Sequence, residues 1–512
     1  MAAQDAQHTR RAGPARTGDV LETQVIVVGA GPVGLLLTAE LCLHGIQVAV
    51  VEQRHRPTKE SRASTLHART MELFDSRGLL TDLGRAPTEP RGHFGGLPLD
   101  LTLPGAYPGQ HKVPQTKTES VLEEWALSLG ADIHCGHRLQ LLDLVQDGEA
   151  VEAEAVGRDG RPVRLRGRYL VACDGQDSTV RRLTGADFPG QRAARELLRA
   201  DVEGIDIRDR RFERLPGGLA IAARRPDGVT RVMVHEFGAA VRRRTQPPQF
   251  AEMSAAWQRV TGEDISAGTP LWVNHFDDAN RQLTHYRHGR VLYAGDAAHR
   301  QMPIGGQALN LGLQDAFNLG WKLAAVLAGH APKDLLDTYH DERHAVGSAV
   351  LANIRAQAML LLGSAEVEPL RAVLAELMSH EQTRTRLASM ISGLDIRYGT
   401  CGTGHPLVGL RLPHARVRVG SATCTTLELL RSGRGLLLGL DGRVPAVGER
   451  WADRIDLVVA RPEPDSDPGE LDKVSAVAVR PDGYVVWAGA SQDPGGTGQL
   501  AAVLERWFGA PR

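Results

Sequence analysis

Cysteine is scarce: Cys42, Cys135, Cys173, Cys401 and Cys424 are the only five in 512 residues. No CxxC occurs, and no Cys/His cluster has zinc-ligand spacing. A dithiol redox motif and a structural zinc site are thereby excluded, and a reducing, cytoplasmic setting is expected. His134 and His137 flank Cys135, but no further ligand pair accompanies them, so no metal is expected. Aromatic residues make up only 4%, too few for a base-stacking single-strand binder. Net charge is equally lacking: 60 basic against 61 acidic residues leave −1, so nothing steers the whole molecule towards nucleic acid or an anionic membrane. A bound anion must be gripped by a local device. Lysine supplies only six of the 60 cations. No run of 18 apolar residues occurs, so no membrane span is expected. The polar, Arg/Ala-rich stretch 1–22 has no apolar h-region and reads as a disordered tail, not a secretory signal.

What is present is ordinary globular material, 42% hydrophobic and 24% charged, long enough for about three domains. The first strong pattern starts at Thr23. The β-branched run Val25-Ile26-Val27-Val28 is the mark of a strand buried on both faces. Gly29-Ala30-Gly31-Pro32-Val33-Gly34 follows, then an apolar helix to about His44, Gly45, and a second strand ending in Glu52. A GxGxxG between strand and helix, with an acid ending the next strand, is a dinucleotide site. Gly29 allows the tight turn, Gly31 leaves room for the pyrophosphate, and Gly34 lets helix and sheet approach. The helix N-terminus receives the phosphate charge. Glu52 accepts from ribose hydroxyls and would repel a 2′-phosphate, which points to the ADP part of FAD or NAD. Further along, the patterns predict a helix over 119–129, β structure at 138–156 and 163–172, an inserted sheet of short alternating strands over 190–285, and a strand at 290–294. Helices are expected at 309–328 and through 333–392. A Gly/Pro/Thr-rich boundary near 395–415 precedes a small separate α/β unit with a final helix at 498–507.

Two more constellations follow strands. One is Asp174-Gly175 within Cys173 to Arg181. The other is Gly295-Asp296, followed by Pro303, Gly305, Gly306, Ala308, Leu309 and Asn310. Asp296 at a strand end can hold a polyol. Pro303 and the glycines after it let a flat ring lie on backbone. A helix starting near Ala308 aims its N–H groups at the edge where a reduced flavin carries negative charge.

Together the three motifs resemble those of the class A flavoprotein aromatic hydroxylases, the para-hydroxybenzoate hydroxylase-like family. The second lies about 145 residues after the first, and the third about 120 further. The resemblance spans 23–510. It implies a Rossmann-like α/β FAD-binding domain (23–189 and 286–394), an inserted mixed-sheet substrate domain (190–285) and a thioredoxin-like C-terminal domain (395–512). That last domain has no CxxC and is expected to be structural. Val113-Pro-Gln115-Thr-Lys-Thr-Glu119 is similar to the family's PQxxTE segment, whose Gln contacts the flavin nucleotide. By the same resemblance Arg62, Arg69, Gln53 and Leu139 join the cofactor contacts, and Asp174 and Gly175 touch both FAD and the transient nicotinamide.

Gly92-His-Phe-Gly-Gly-Leu-Pro98, Trp272-Val-Asn-His-Phe276 and Glu505 to Ala510 are similar to the subgroup that tailors aromatic polyketides, angucyclinones especially. The expected reaction is hydroxylation of a polycyclic aromatic polyketide: NADPH reduces FAD, O2 is trapped as a C4a-hydroperoxide, and the phenolic ring takes its distal oxygen. The chemistry is flavin-driven, with no catalytic side chain singled out. Phe94, Leu97, Pro98, Leu99, Trp272, Phe276 and Pro303 are expected to wall the substrate cavity. A monomer or homodimer is expected, with no nucleic-acid or membrane partner. Baeyer–Villiger-type oxidation, or a ring modification coupled to hydroxylation, on the same substrate class stays open as an alternative. So does a non-catalytic flavin- or polyketide-binding paralogue, because Ala308 stands where the family usually has Gly. If that position needs positive φ, Ala costs about 1 kcal/mol; if it is helical, Ala costs nothing. His299 is expected to pack rather than relay protons, and Asp341 to His344 to form a solvated or ion-paired face.

Overall fold

The computed structural model describes residues 20–56, 63–144, 148–242, 244, 246–399, 405–463, 469–489 and 494–511. At its centre is a six-stranded sheet in the order Arg287–His288, Val291–Tyr293, Tyr169–Ala172, Val25–Val28, Val48–Glu52, Asp132–Cys135. Every pair is parallel except the outermost, Arg287–His288 on Val291–Tyr293. Val25–Val28 and Tyr169–Ala172 are buried along their whole length, as parallel strands between helices must be. Because neighbouring parallel strands run the same way, the three that precede the motifs deliver Gly29, Asp174 and Gly295 side by side. They emerge at the carboxyl edge, where open α/β sheets take their ligands.

Helices Pro32–Leu43 and Gln307–Leu327 cross over this sheet. Glycine sets their separation: a Cβ on Gly320 would lie 2.7 Å from Glu40 Cβ, and one on Gly312 2.7 Å from Val33 Cγ2 and 3.0 Å from Gly295 Cα. Both helix N-termini therefore open onto the motif edge. Helix Gln115–Ser128 begins four residues earlier than its periodicity suggests, because Pro114 is already extended and serves as its N-cap. The helical stretch 333–362 is long and apolar enough to cross a membrane by composition, but half of its most apolar window is buried inside the protein, as in a core helix.

Two boundaries move. Val20–Glu22, expected in the tail, is a strand paired in parallel with Arg164 to Arg166, because a backbone edge was free there; residues 1–19 lie outside the described residues. The C-terminal unit carries a four-stranded sheet, Ile455–Val459, Gly435–Gly439, Ala476–Val479, Val485–Gly489, and helix Pro494–Phe508. It has a small core of its own, with Leu412, Val417, Leu436, Leu438, Val477 and Val485 in it, but it is not fully separate: Trp451, Trp487, Leu504, Trp507 and Phe508 share one apolar cluster with Trp321 and Val25 to Val28.

The inserted sheet is antiparallel, in the order Arg210–Leu215, Gly218–Arg224, Thr230–Glu236, Glu196–Glu203, Thr269–Asp277. One face packs on helix Phe250–Thr261 through Met253, Ala256 and Trp257. That helix was not expected from the strand-like alternation around it. The other face turns towards the motif edge. Gly190–Gln191, Asn280–Gln282 and His299–Arg300 form a small sheet that ties both ends of the insertion to the segment after Gly295.

Candidate active site

The first loop has the geometry its glycines demand. Gly29 sits at φ +103°, and a Cβ there would lie 2.5 Å from the Cys173 carbonyl oxygen. A Cβ on Gly34 would lie 1.9 Å from the Gly29 oxygen, whereas one on Gly31 meets nothing within 4 Å. Open space thus faces the N-terminus of Pro32–Leu43, and Val33 fills the gap between Gly295 and Gly312. Glu52 is buried. Its Oε2 accepts the Ala30 N–H at 2.8 Å, and its Oε1 accepts from the Arg54 N–H (2.7 Å) and Nε (3.0 Å). Arg54, which the motif alone does not single out, covers the carboxylate; Gln53 beside it is exposed. Gln115 accepts the Ala63 N–H and donates to Glu119, pinning the segment that follows residues 57–62. Arg62 lies outside the described residues. Leu139 is a core side chain two positions beyond His137, whose N–H donates to the Glu52 carbonyl.

At the second loop, Asp174 Oδ2 accepts the N–H groups of Thr179 (2.6 Å) and Val180 (3.1 Å), while Oδ1 is buried with no partner. Burial raises this carboxyl above its usual range, against those bonds. Gly175, at φ +79°, faces open space. Arg181 ties this loop to the third one by donating to the Ala297 carbonyl at 2.9 Å.

In the third loop Asp296 is exposed and Pro303 is exposed. Gly305 (φ +64°) and Gly306 (φ +70°) are left-handed, and helix Gln307–Leu327 starts immediately after. Ala308 is therefore helical, in the first turn beside half-buried Leu309, and carries no strain. The backbone objection to it disappears. Four buried polar groups at this edge lack partners: Asp174 Oδ1, both amide atoms of Gln301, both of Gln307, and His67 Nδ1. Buried polar atoms in native proteins are normally satisfied, and these four groups beside the loops fit a polar ligand such as FAD. His67, which sequence reasoning missed, is fully buried and donates from Nε2 to the Gly305 carbonyl (2.8 Å). Burial, with the Lys112 and His111 charges, holds it down at about 4, so it is neutral.

Several sequence-based assignments are corrected. Arg69 does not reach the motif edge: it is buried between Glu72 (3.1 Å), the Asp482 carbonyl (2.9 Å) and the Tyr484 ring. Its helix packs on the C-terminal unit, and the side chain faces that way. Asn310 is a fastener, accepting from the His67 N–H and Thr70 Oγ1 and donating to the Thr65 and Gly306 carbonyls. Phe94, Leu97 and Leu99 turn into a cluster with Leu360, Met378, Ala388 and Ile391. Pro98 is exposed on the opposite face of the same hairpin, because alternate strand residues point opposite ways. Phe276 does face the loop, in one apolar cluster with Leu197, Leu219, Met302, Ile304, Ile354 and Leu361. Trp272 is a platform for the Arg199 (5.1 Å) and Arg231 (5.3 Å) guanidinium groups beside Asp201, more polar than expected of a wall. His299 is buried on Asp315, which also pairs with Arg343 at 2.7 Å. Of the cluster expected on a solvated or ion-paired face, Glu342 and Arg343 are ion-paired: Arg343 is fully buried on Asp315, and half-buried Glu342 meets Lys322 and Arg480.

Residues 22–354 match the family described as "FAD binding domain", and residues 405–511 the family described as "Aromatic-ring hydroxylase, C-terminal". The chain is 42% identical to the rifampicin monooxygenase of Streptomyces venezuelae over 499 residues, covering 95% of this chain and 98% of that one. It is 40% identical to the 12-dehydrotetracycline 5-monooxygenase/anhydrotetracycline 6-monooxygenase of Streptomyces rimosus subsp. rimosus, covering 95% and 99%. Among solved structures it is similar to CabE, an aromatic hydroxylase from angucycline biosynthesis, with a TM-score of 0.91 and 49% identity over 96% of this chain and 100% of that one.

Proposed function

The chain belongs to the class A, FAD-dependent aromatic-ring hydroxylases, and from that premise we propose that it hydroxylates a polycyclic aromatic polyketide of the angucyclinone type. At the coarser level it is a flavin-dependent monooxygenase, with FAD as cofactor and NADPH and O2 as co-substrates. The observation that carries the finer reading is the apolar row Leu197, Leu219 and Phe276 on the inner face of the inserted sheet, set against Met302 and Ile304 beside the Gly305–Gly306 turn. An apolar lining of this kind, with few polar groups, suits a fused aromatic ring system. The likeness to an angucycline hydroxylase supports the same substrate class.

The chemistry FAD supplies when bound is acceptance of a hydride from NADPH and transfer of one atom of O2 to an electron-rich ring carbon, the other atom leaving as water. The protein's own part is positioning. The N-terminus of Pro32–Leu43 would hold the pyrophosphate of FAD, and Glu52 would take its ribose hydroxyls. Asp296 takes the ribityl chain. The first turn of Gln307–Leu327, with the unpartnered Gln307 amide, would favour negative charge on FAD held there. The inserted sheet shields the reacting centre from water. The C-terminal unit is read as thioredoxin-like and structural: it has no CxxC, and buried ion pairs bind it to the rest.

The test is incubation of the FAD-loaded enzyme with NADPH, 18O2 and a panel of angucyclinones. A mass gain of one labelled oxygen at an aromatic or quinoid carbon is expected. Oxygen inserted beside a ketone with ring expansion would replace hydroxylation by Baeyer–Villiger chemistry, and NADPH oxidation without oxygen in any product would overturn the assignment.

A further inference from the structure

The hairpin Arg91–Phe94/Leu97–Asp100 hides Phe94 among the helices, so His93, one residue earlier, points the other way. Its turn is fixed to the motif edge. Gln357, fully buried, accepts the Gly95 N–H (3.2 Å) with an oxygen that would lie 3.9 Å from a Cβ on Gly305. The His93 ring packs tilted (48°) against Phe212 of the inserted sheet, with centroids 4.0 Å apart. Phe212 is the one non-glycine residue with positive φ (49°) among the described residues, at a bulge between Arg210 and Glu213. Strain of this kind concentrates where a side chain must be held in place.

The His93 ring is oriented as well as placed. Nδ1 accepts the Gly96 N–H at 3.2 Å, which leaves the proton on Nε2. Nε2 has no hydrogen-bond partner among the described residues and is not one of the sealed, unpartnered atoms, so it is reachable. The charges around it are mainly positive. Arg211, next to Phe212, donates to the Arg91 carbonyl at 2.9 Å. Lys112 donates to Thr65 Oγ1 at 3.2 Å, and Thr65 Cβ lies 3.2 Å from where a Cβ on Gly306 would be. His67 and His111 stand beside Lys112, and Glu89 is the acid within its reach. Burial and the Arg211 and Lys112 charges hold His93 down at about 4, so its ring stays neutral in the working range.

We propose that His93 contacts the substrate, donating its Nε2–H to a phenolic oxygen and, with Lys112 and Arg211, selecting the ionised form of that phenol. The inference deepens the function proposed above and rests on it for the substrate class. An ionised phenol is the more electron-rich ring, so binding it as the anion favours attack on an electrophilic oxygen. A neutral imidazole in a positive surround gives a directed hydrogen bond without adding a titrating group of its own.

The experiment uses the FAD-loaded enzyme with phenolic angucyclinones and their O-methyl ethers as probes. Binding is read from visible absorbance, which separates phenol from phenolate, and turnover from kcat and KM with 18O incorporation. For the wild type, the bound phenol carries the phenolate spectrum at pH values below its solution pKa, and the methyl ether binds at least about tenfold more weakly. His93→Phe keeps a ring over Phe212 but removes the donor. It is expected to lose the phenolate spectrum and most of the discrimination, raising KM at least about tenfold. His93→Gln, which restores an N–H near Nε2, recovers within about threefold of wild type. Unchanged spectrum and KM in His93→Phe, with oxygenation intact, would mean that His93 only packs. Phenolate binding that depends on His93 without oxygen insertion would overturn the hydroxylase reading and leave this inference standing. No binding of any phenol by the wild type would sink both.

Discussion

The two ends of helix Gln307–Leu327 lie in opposite electrostatic settings. At its start, Gln307 is buried with neither amide atom bonded, and His67 beside the same Gly305–Gly306 turn is also incompletely partnered. Three turns on, Asn318 and Lys322 enter a fully connected ionic seam. Lys322 donates to Asn318 and Glu342 (both 2.8 Å); Glu342 and Asp482 accept from Arg480, which lies over Trp321, Tyr398, Tyr484 and Trp507. Nearby, Arg77 pairs with Glu40 at 2.7 Å and donates to the Leu430 and Pro481 carbonyls. The contrast separates scaffold from site. At the seam the buried charges satisfy one another and hold two units of the chain together; at the loop end, polar groups that a cofactor could meet are left without protein partners.

The largest test breaks the seam. Arg480→Ala leaves Glu342 and Asp482 buried without their shared cation and should destabilise the chain by about 3–5 kcal/mol, read by chemical denaturation. A loss below about 1 kcal/mol would mean that the seam holds little together. Next comes acid. Burial works against ionisation of Glu342, yet Arg480 and Lys322 hold its carboxyl at about 2 rather than 4.5. A depressed carboxyl contributes stability in full above its unfolded value. That contribution, on the order of 3 kcal/mol, is therefore lost as pH falls from 4.5 towards 2. Stability measured across that window should flatten in Glu342→Gln. At the other end, Gln307→Leu should leave the FAD-free chain as stable as before, or up to about 1 kcal/mol more so, because an unsatisfied amide is removed. The same substitution should weaken FAD binding by about tenfold, read by flavin fluorescence. Unchanged FAD affinity would break the comparison. The smallest effect belongs to Ala308→Gly: at a helical position it should cost about 1 kcal/mol in thermal unfolding, with turnover retained. A stability gain would show that Ala308 is strained after all.

How much of this was legible in the sequence follows from the range of each interaction. The glycines of the first loop were readable because their reasons are local: Gly29 must turn, Gly34 must approach Gly29, and Gly31 must leave space. Glu52 followed from its place at a strand end. Arg69 was misassigned because its partner, the Asp482 carbonyl, stands 413 positions away. Asn310 was misassigned because its bonds go to Thr65, His67 and Thr70, on another element. Phe94 and Leu99, expected to wall the cavity, turn into a core cluster instead, since alternation tells which residues share a face and not what that face meets. His67, Arg54 and His93 had only weak local signals: a lone imidazole, a cation after an acid, and a histidine in a glycine-rich turn.

The sequence by itself determined that strand, glycine loop and helix make a dinucleotide cradle, that two further loops accompany it, and that no dithiol chemistry is available. These are consequences of residue order within tens of positions, where backbone sterics and periodicity decide. Only the tertiary structure decided that the three loops lie side by side, that the last hundred residues share a core with the first, which arginines are spent on the seam, and which polar atoms are left unsatisfied. Those outcomes depend on which buried groups meet across the fold, and burial makes each meeting either a satisfied pair or a vacant contact for a ligand.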